Sequence, residues 1–395
     1  MNVTLERISG PQRENMMSQR SKREMIEAVR PRYLKANKAG KEQILDEFVA
    51  TTGYHRKYAI RVLKNGPKPK GLKKPGRRKK YQGEVVNVLE QIWEIYGRIC
   101  SKRLHPFLSE GVAILERCHE LNLSPETKQL LLSMSPATID RCLRKARFTH
   151  PQHGLSTTKP GYLLKKAIPV RTFTPWEDEK PGFLEIDLVA HCGQTTEGIY
   201  LNTLTATDIA TGWTECLALP NKTQIAVSQA IGKLRKNLPF PLLGLDSDNG
   251  SEFINGTLYS YCIAEHITFT RSRPYQKNDQ AHVEQKNWSV VRHTVGYDRL
   301  ESPEKLSLLE SIYSDLRLYI NFFQPVLKLI SKQRVDDKVI HTYDQATTPF
   351  RRVLALDSIP VQIKARLADQ YFHLNPVSLK TSIDAKVAIL WNIVR

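Results

Sequence analysis

The sequence lacks the features that mark secreted, membrane-spanning and zinc-stabilised proteins. No run approaches the roughly 18 consecutive apolar residues of a membrane-spanning helix, and the N-terminus lacks the apolar stretch of a secretory signal. The six cysteines are scattered, with no Cys-x-x-Cys pair and no His-Cys spacing suited to zinc. We therefore expect a soluble cytoplasmic protein with reduced, mostly buried thiols and no membrane partner.

Acidic residues are scarce in the first fifth of the chain. The 395 residues carry a net charge of +19. Residues 1–80 hold 22 Lys and Arg against 7 Asp and Glu, so +15 of that charge lies there. Concentrated positive charge favours a polyanionic partner such as nucleic acid, so we expect the main binding surface near the N-terminus. The length of the chain predicts roughly two to four domains.

A helix, a glycine-containing turn and a second helix are predicted in residues 41–65, after a first helical stretch at 22–36. Apolar residues recur at helical spacing, and a Thr-Thr-Gly break at 51–53 separates the two later helices. The pattern is typical of a helix-turn-helix, and equally of an ordinary helical hairpin. We assign residues 1–66 to DNA binding. The candidate contacts with phosphates and base edges are His55, Arg56, Lys57 and Arg61.

A basic segment follows. Residues 64–80 hold nine Lys and Arg, three Pro, three Gly and no acid, so neither helix nor strand is expected. The segment is either a solvated spacer or a chain that tracks along a DNA backbone, which would neutralise the repulsion among its charges. We interpret residues 67–80 as a basic linker. Its candidate DNA contacts are Lys73, Lys74, Arg77 and Arg78.

Residues 81–150 form a second predicted helical region. Its last helix has Ser135 as a candidate N-cap, Pro136 at the first helical position and a basic end. This arrangement predicts a second helix-turn-helix-like region. Residues 151–179 are rich in Pro, Thr and Lys, with little periodicity, and are interpreted as a linker.

From Phe183 the pattern changes to strands. Three strands in succession are followed by helices that alternate with two more strands, and this order predicts a mixed five-stranded sheet covered by helices. Such an α/β arrangement is ribonuclease H-like. We assign it to residues 180–300 as a catalytic core, and residues 301–395 to a C-terminal helical, accessory region. The predicted strands are residues 183–192, 199–210, 212–219, 242–248 and 267–272.

Three acids fall where this architecture can use them. Asp187 lies in the first predicted strand, Asp248 ends the fourth, and Glu284 lies on the helix predicted at 279–293. Sites in open α/β sheets form outside the carboxyl ends of parallel strands. Three converging carboxylates repel one another, so a bound divalent cation is the natural compensation. Oxygen ligands without Cys or paired His favour Mg²⁺ or Mn²⁺ over zinc.

Other acids remain alternatives. Asp246 could replace Asp248, because both side chains point to the same side of a strand. We favour Asp248 because it precedes an Asn-Gly turn. Asp208 and Glu252 are weaker candidates, more simply explained as a turn residue and an exposed acid at a helix start. His191 is interpreted as a packing residue and not as a metal ligand.

Three sequence blocks resemble the DDE integrase core of insertion-sequence transposases and retroviral integrases. The blocks read FLEIDLVAH, LDSDNGSEF and RPYQKNDQAHVEQKN, and 35 residues separate Asp248 from Glu284, which is the spacing of that group. The resemblance covers about residues 180–300. Segments near Asn321 and Tyr343 are also similar to transposases, less specifically.

The resemblance implies a DNA transposase that works by two-metal phosphoryl transfer. Asp187 would bridge two Mg²⁺ or Mn²⁺ ions per active site, while Asp248 and Glu284 would each complete one. The enzyme would cleave the ends of a mobile element to expose 3′-OH groups and join them to target DNA. Double-stranded DNA is then the partner, a homo-oligomer on DNA is expected, and the protein would be nucleoid-associated. The chain lacks the His-His-Cys-Cys module of retroviral integrases, which favours a transposase.

The chain also departs from those relatives. They carry Lys four and seven positions beyond the glutamate, where this sequence has Trp288 and Val291. The residues closest to the Glu284 face that could replace those contacts are Gln280, Asn287 and Arg292.

Basic residues before the glutamate helix are further candidates. Arg271, Arg273 and Lys277 could hold the DNA backbone, or could belong to a solvated loop. Two alternative functions remain open: a structure-specific nuclease of the same fold, and a DNA-binding repressor with a non-catalytic core.

Overall fold

The structure is a computed structural model of the 395-residue chain. The residues it describes are 17–66, 80–149, 180–248, 250, 252–253, 256–272, 281–335 and 338–394. Most of the predicted basic linker and nearly all of the predicted linker at 151–179 lie outside them. The chain divides into two compact units, residues 1–80 and residues 81–395.

The first unit contains three helices, α1 (Gln19–Lys35), α2 (Lys38–Thr52) and α3 (Arg56–Asn65). The Asn37 side chain accepts a hydrogen bond from the Gly40 N–H, so α2 starts before the predicted position. Gly53 ends α2 with φ +67°, a conformation that glycine adopts at little cost. The predicted order of helix, glycine turn and helix is therefore present.

Each helix of the first unit buries one face in a small common core. The helices pack on one another, and α3 contributes Ala59, Val62 and Leu63. The remaining surface of α3 is exposed. The full core consists of Ile26, Tyr33, Leu45, Phe48, Ala59, Val62 and Leu63.

The second unit begins with four helices. They are α4 (Glu84–Ile95), α5 (Ser101–Arg117), α6 (Pro125–Leu132) and α7 (Pro136–Cys142). The predicted cap of α7 is present, because the Ser135 side chain accepts from the Thr138 N–H and Pro136 occupies the first turn. The sequence patterns did not predict α6.

The predicted mixed five-stranded sheet is confirmed. Its strands run in the order β3-β2-β1-β4-β5. The β1–β2 and β2–β3 pairs are antiparallel, whereas β1–β4 and β4–β5 are parallel. Helices α8 (Gln224–Asn237) and α9 (Gly256–Ala264) follow β3 and β4. The strands are β1 (Phe183–Ala190), β2 (Asn202–Asp208), β3 (Thr214–Leu219), β4 (Gly244–Ser247) and β5 (Thr268–Arg271).

The helix predicted at 279–293 is interrupted in its regularity. It consists of α10 (Ala281–Lys286), a π-helical segment (Asn287–Arg292) and the short α11 (His293–Val295). Val290 and Val291 are buried and share a core cluster with Val189 of β1. Because π-helical turns hold more residues than α-helical ones, the segment changes which side chains face the sheet.

The C-terminal part contains more than the predicted helices. After α12 (Pro303–Phe323) comes a two-stranded antiparallel sheet of β6 (Leu329–Val335) and β7 (Lys338–Tyr343). Helices α13 (Pro349–Ala355), α14 (Val361–His373) and α15 (Pro376–Val394) follow. Among the described residues, no helix has the length and apolar composition that crossing a membrane requires.

The four helices at 81–149 are tied to this C-terminal part. The Tyr319 hydroxyl donates to the Ile95 carbonyl at 2.5 Å, and the Gln324 amide donates to the Tyr96 carbonyl at 2.7 Å. One hydrophobic cluster includes α4, α5, the sheet and parts of α12 to α14. The helical region at 81–149 is therefore built into the same core as the sheet.

Candidate active site

The sheet brings Asp187 and Asp248 side by side. Strands β1 and β4 are parallel neighbours, and Ile186 is paired with Ser247 at the end of their described register. Asp187 and Asp248 lie one residue beyond that pair. The carboxyl ends of parallel strands are where open α/β sheets form their sites. Both aspartates are only partly exposed.

Three carboxylates act electrostatically on one another here. The pKa of Asp187 is about 7 as the net result of burial and the charges of Asp248 and Glu284, which raise it, and of two hydrogen bonds, which oppose the rise. Hydrogen bonds from the Leu188 N–H, at 2.8 Å, and from the Asn287 amide, at 2.6 Å, lower that pKa. The sequence-predicted triad is thus close enough in space for mutual repulsion, which a cation would relieve.

The helix that carries Glu284 is anchored along β1 at three points. The backbone N–H groups of His282 and Val283 donate to Glu185, the Asn287 amide donates to Asp187, and the Arg292 guanidinium donates to the Ala190 carbonyl. Residues 185–190 of a strand span about 16 Å, and residues 282–292 of a helix span about 15 Å. The helix therefore runs along β1, and the charge of Glu284 acts on Asp187.

Gly250 lets the backbone after Asp248 pass close to the carboxylates of Asp248 and Glu252. The Asp248 carboxylate accepts from the Gly250 N–H at 2.8 Å. A Cβ atom at Gly250 would lie 2.8 Å from Oε2 of Glu252 and 2.9 Å from Oδ1 of Asp248. Both carboxylates therefore crowd around a position that only glycine fills without displacement. Glu252, a weaker candidate from the sequence, lies near Asp248.

The other acids have structural roles. Asp246 is fully buried and accepts from the Thr270 hydroxyl at 2.5 Å. It is not among the charges that shift the pKa of Asp187. Asp208 accepts from the Gly182 N–H at 2.7 Å and from the backbone and hydroxyl of Thr211, which are the bonds of a turn residue.

His191 is a packing residue in the structure. It is fully buried, and its Nε2 lies 2.7 Å from the Thr203 hydroxyl, which contacts the Tyr313 hydroxyl at 2.6 Å. Burial, with a smaller contribution from the Arg292 charge, lowers the pKa of His191 to about 3. A neutral, enclosed imidazole of this kind supports the fold.

The three carboxylates are ligands of the type that a hard divalent cation prefers. Asp187, Asp248 and Glu284 offer carboxylate oxygens only, which is the ligand type of Mg²⁺ and Mn²⁺. Within the described part of the chain, no three His, Cys, Asp or Glu side chains stand ready as a ligand group. One oxygen of Asp187 is engaged by Asn287. Ion binding would therefore require these side chains to draw closer together.

The predicted DNA contacts in the first unit differ in availability. His55 caps α3, with its Nδ1 accepting from the Lys57 N–H at 3.3 Å, and Arg56 forms an ion pair with Asp46. Lys57 and Arg61 are exposed, and the Arg61 guanidinium lies 4.8 Å from the centre of the Tyr58 ring. All four residues are exposed, and two of them, His55 and Arg56, already make polar contacts within the protein.

The predicted DNA contacts near the carboxylates have protein partners. Asn287 donates to Asp187, the Arg292 guanidinium donates to Ala190 and Gly296, and Arg271 is buried in β5. Contact with DNA would require their release. The remaining candidates lie outside the described residues: Lys73, Lys74, Arg77, Arg78, Arg273, Lys277 and Gln280.

Sequence reasoning missed Glu185. Its side chain is 1% exposed, yet it stands in a strand whose neighbours Leu184 and Ile186 are fully buried apolar residues. The available signal was the spacing of Glu185 and Asp187, two acids that point to one face of a predicted buried strand.

Three solved structures are similar to part of the chain. In its described residues, the chain has a mixed sheet with acids at the strand ends. The catalytic core domain of BIV integrase in crystal form I is 18% identical with a TM-score of 0.27, covering 43% of this chain and 91% of that one. The HTLV-2 integrase catalytic core domain in complex with magnesium gives TM-scores of 0.28 in its dimeric and trimeric forms. The two forms are 15% and 16% identical, and they cover 37% and 36% of this chain and 90% and 88% of those chains.

Sequence comparison identifies a full-length relative. No model of a known protein family matches the chain. The uncharacterized protein y4rM of Sinorhizobium fredii (strain NBRC 101917 / NGR234) is 41% identical over 339 residues, covering 85% of this chain and 96% of y4rM. The chain belongs to the same family as y4rM.

Proposed function

We propose that the chain is a DDE-type DNA transposase with a ribonuclease H-like core. It binds the ends of a mobile element, cleaves them to expose 3′-OH groups and joins these to target DNA. The observation that carries the proposal is that Asp187 and Asp248 lie one residue beyond the last described pair of β1 and β4, and that the charges of Asp248 and Glu284 both raise the pKa of Asp187. Perturbed carboxylates at strand ends are typical of a functional site.

The three carboxylates are the proposed catalytic and metal-binding residues. Two Mg²⁺ or Mn²⁺ ions held there would neutralise charge on the phosphodiester and activate the attacking oxygen. Asp187, on which the charges of the other two acids act, is the proposed bridging ligand. The anchored helix carries Glu284, and the Gly250 turn holds Asp248. Fixed geometry of this kind is what phosphoryl transfer requires from a protein.

Helix α3 is the proposed DNA-recognition helix of a helix-turn-helix. Its apolar face is used in the core of the first unit, while Lys57, Tyr58, Arg61 and Lys64 are exposed. Basic side chains on a helix of this size suit phosphates and base edges in the major groove of double-stranded DNA. Because two ends of an element must be joined in one event, we propose that the chain acts as a homo-oligomer on DNA.

A cleavage and joining assay tests the proposed function. Substitutions Asp187→Asn, Asp248→Asn and Glu284→Gln are each expected to abolish both cleavage and strand joining, while binding to element ends is retained. The physical reason is that each change removes a charged oxygen ligand and leaves the basic surface intact.

Asp208→Asn is the matched control, since it alters another buried aspartate of the same sheet. It is expected to lower the melting temperature and retain joining. Joining by any triad variant would remove that residue from the site. Cleavage without joining by the wild-type protein would indicate a nuclease, and binding alone would indicate a repressor.

A further inference from the structure

Glu185 is an acid in the interior of the sheet. Its side chain is 1% exposed, and Oε2 accepts hydrogen bonds from the backbone N–H groups of His282 and Val283 at 2.9 and 3.1 Å. These N–H groups belong to the first turn of α10, where a helix has no acceptors of its own. A carboxylate there also interacts favourably with the helix dipole. Glu185 therefore supplies the beginning of α10 with acceptors from a strand.

A buried charged residue at position 185 requires a physical explanation. Burying a carboxylate is costly, and an apolar residue would pack the strand, as Leu184 and Ile186 do. The hydrogen bonds described for Glu185 go to two backbone amides of α10. The contact thus fixes a helix and not only a side chain.

The helix that Glu185 holds is the one that carries Glu284. Glu284 directly follows Val283, and Glu185 stands two residues before Asp187 on the same face of β1. Two residues of a strand span about 6.5 Å. The strand therefore carries both Asp187 and the anchor that sets the position of Glu284 relative to it.

We propose that Glu185 is the positioning residue of this site, holding the start of α10 so that Glu284 can reach the ion site of Asp187. The inference rests on the proposed function for the ion-binding role of Glu284. The backbone anchor itself does not depend on that function.

Glutamine and alanine substitutions separate positioning from ion ligation. A glutamine carbonyl oxygen has two lone pairs and can accept both N–H groups, whereas alanine accepts neither. A glutamine amide is a far poorer ligand for a hard divalent cation than a carboxylate is. Glu185→Gln should therefore preserve an anchor and destroy a ligand.

The experiment uses the full chain and two readouts. Hydrogen exchange followed by mass spectrometry on peptides covering 281–292 should be about tenfold faster in Glu185→Ala and near wild type in Glu185→Gln. Mn²⁺ binding, followed by electron paramagnetic resonance, should weaken about tenfold in Glu185→Ala and stay within about threefold in Glu185→Gln. Glu215→Gln is the matched control, equally buried and on the opposite face, and should change neither readout.

The outcomes separate the possible explanations. Unchanged exchange in Glu185→Ala overturns the anchor. Loss of Mn²⁺ binding in Glu185→Gln as complete as in Asp187→Asn would make Glu185 a ligand and overturns positioning. If Glu185→Ala does not fold, hydrogen exchange and Mn²⁺ binding of Glu185→Gln still test the proposal. The protection of the His282 and Val283 amides in the wild-type protein is a further test. A wild-type protein that neither binds Mn²⁺ nor joins DNA refutes the proposed function, while exchange at residues 282 and 283 still tests the anchor.

Discussion

Asp187, with a pKa of about 7, ties the stability of the metal-free protein to pH. An unfolded aspartate titrates near 3.8, so between pH 4 and 7 the folded state binds the proton more tightly. This contribution favours folding at low pH and is lost as pH rises through about 7. Three pKa units correspond to at most ~4 kcal/mol. We expect Asp187→Asn to remove this dependence and to stabilise the metal-free protein at pH 8.

Denaturant unfolding in a chelator, from pH 4 to 8, measures the effect. His191 works in the opposite direction, because its lowered pKa of about 3 costs stability as pH falls below 6.5. The difference between the wild-type and Asp187→Asn curves cancels that contribution. Parallel curves for the two proteins would show that Asp187 is not perturbed.

Gly250 provides a second test at the level of one residue. A Cβ at this position would meet the carboxylates of Asp248 and Glu252 at 2.9 and 2.7 Å. We expect Gly250→Ala to reduce DNA cleavage by about 10- to 100-fold, the range seen when groups that orient metal ligands are disturbed. The cleavage rate at saturating Mg²⁺ measures this.

Gly232→Ala in α8 is the control for Gly250, because no atom lies within 4 Å of the added Cβ. Alanine in a helix is favoured over glycine by about 0.5–1 kcal/mol, so this variant should be slightly more stable and fully active. Equal DNA cleavage rates of Gly250→Ala and Gly232→Ala would show that the Gly250 turn does not affect the reaction.

At the level of one element, the exposed basic face of α3 sets the salt dependence of DNA binding. Each phosphate contact that is removed should lower the slope of log affinity against log salt by about one. We expect Lys57→Ala and Arg61→Ala each to do so in gel-shift titrations on element ends. Lys236→Ala, an exposed lysine of α8 in the other unit, should leave the slope unchanged. Equal slopes for all variants would place recognition elsewhere.

The strands and most helices followed from local sequence, whereas the geometry of the glutamate helix did not. The pattern of β1 is local, and its predicted bounds, residues 183–192, lie within two residues of the observed Phe183–Ala190. The π-helical segment depends on hydrogen bonds from Asn287 and Arg292 to Asp187 and Ala190, about 100 residues earlier. Contacts of that range leave no periodic signal.

The three acids of the triad were predicted from the sequence and remain a prediction for the site, whereas their support by Glu185 was not predicted. Their selection rested on their places in the predicted strands and helix, on the 35 residues between Asp248 and Glu284, and on the family resemblance. The anchoring role of Glu185 depends on which helix covers that face of the sheet. Likewise, the β6–β7 sheet lies in a region where the sequence patterns indicated helices.

At the level of the whole molecule, the boundary between units determines which fragments fold. Residues 1–80 contain a complete small core, so we expect this fragment to fold alone and to bind DNA. A fragment of residues 1–150 would leave α4 and α5 without α12 to α14, which contribute to their core. Circular dichroism during thermal unfolding should show one cooperative transition for residues 1–80, and no additional transition for residues 1–150.

The complementary fragment, residues 81–395, provides a check. A protein of residues 81–395 should unfold cooperatively and bind Mn²⁺, since it retains the triad and both sides of the shared core. A second cooperative transition in residues 1–150 would mean that the 81–149 helices are an independent domain.

The hydrogen bonds that link the end of α4 to α12 can form only late in translation. Tyr319 and Gln324, the partners of Ile95 and Tyr96, leave the ribosome more than 200 residues after them. At about 5–20 residues per second, the N-terminal unit can fold well before the second unit is complete. On the proposed function, a nascent or prematurely terminated chain is therefore a DNA-binding protein without strand-cutting activity. Such chains would occupy the element's ends and compete with the finished enzyme, so interrupted synthesis would itself restrain mobility.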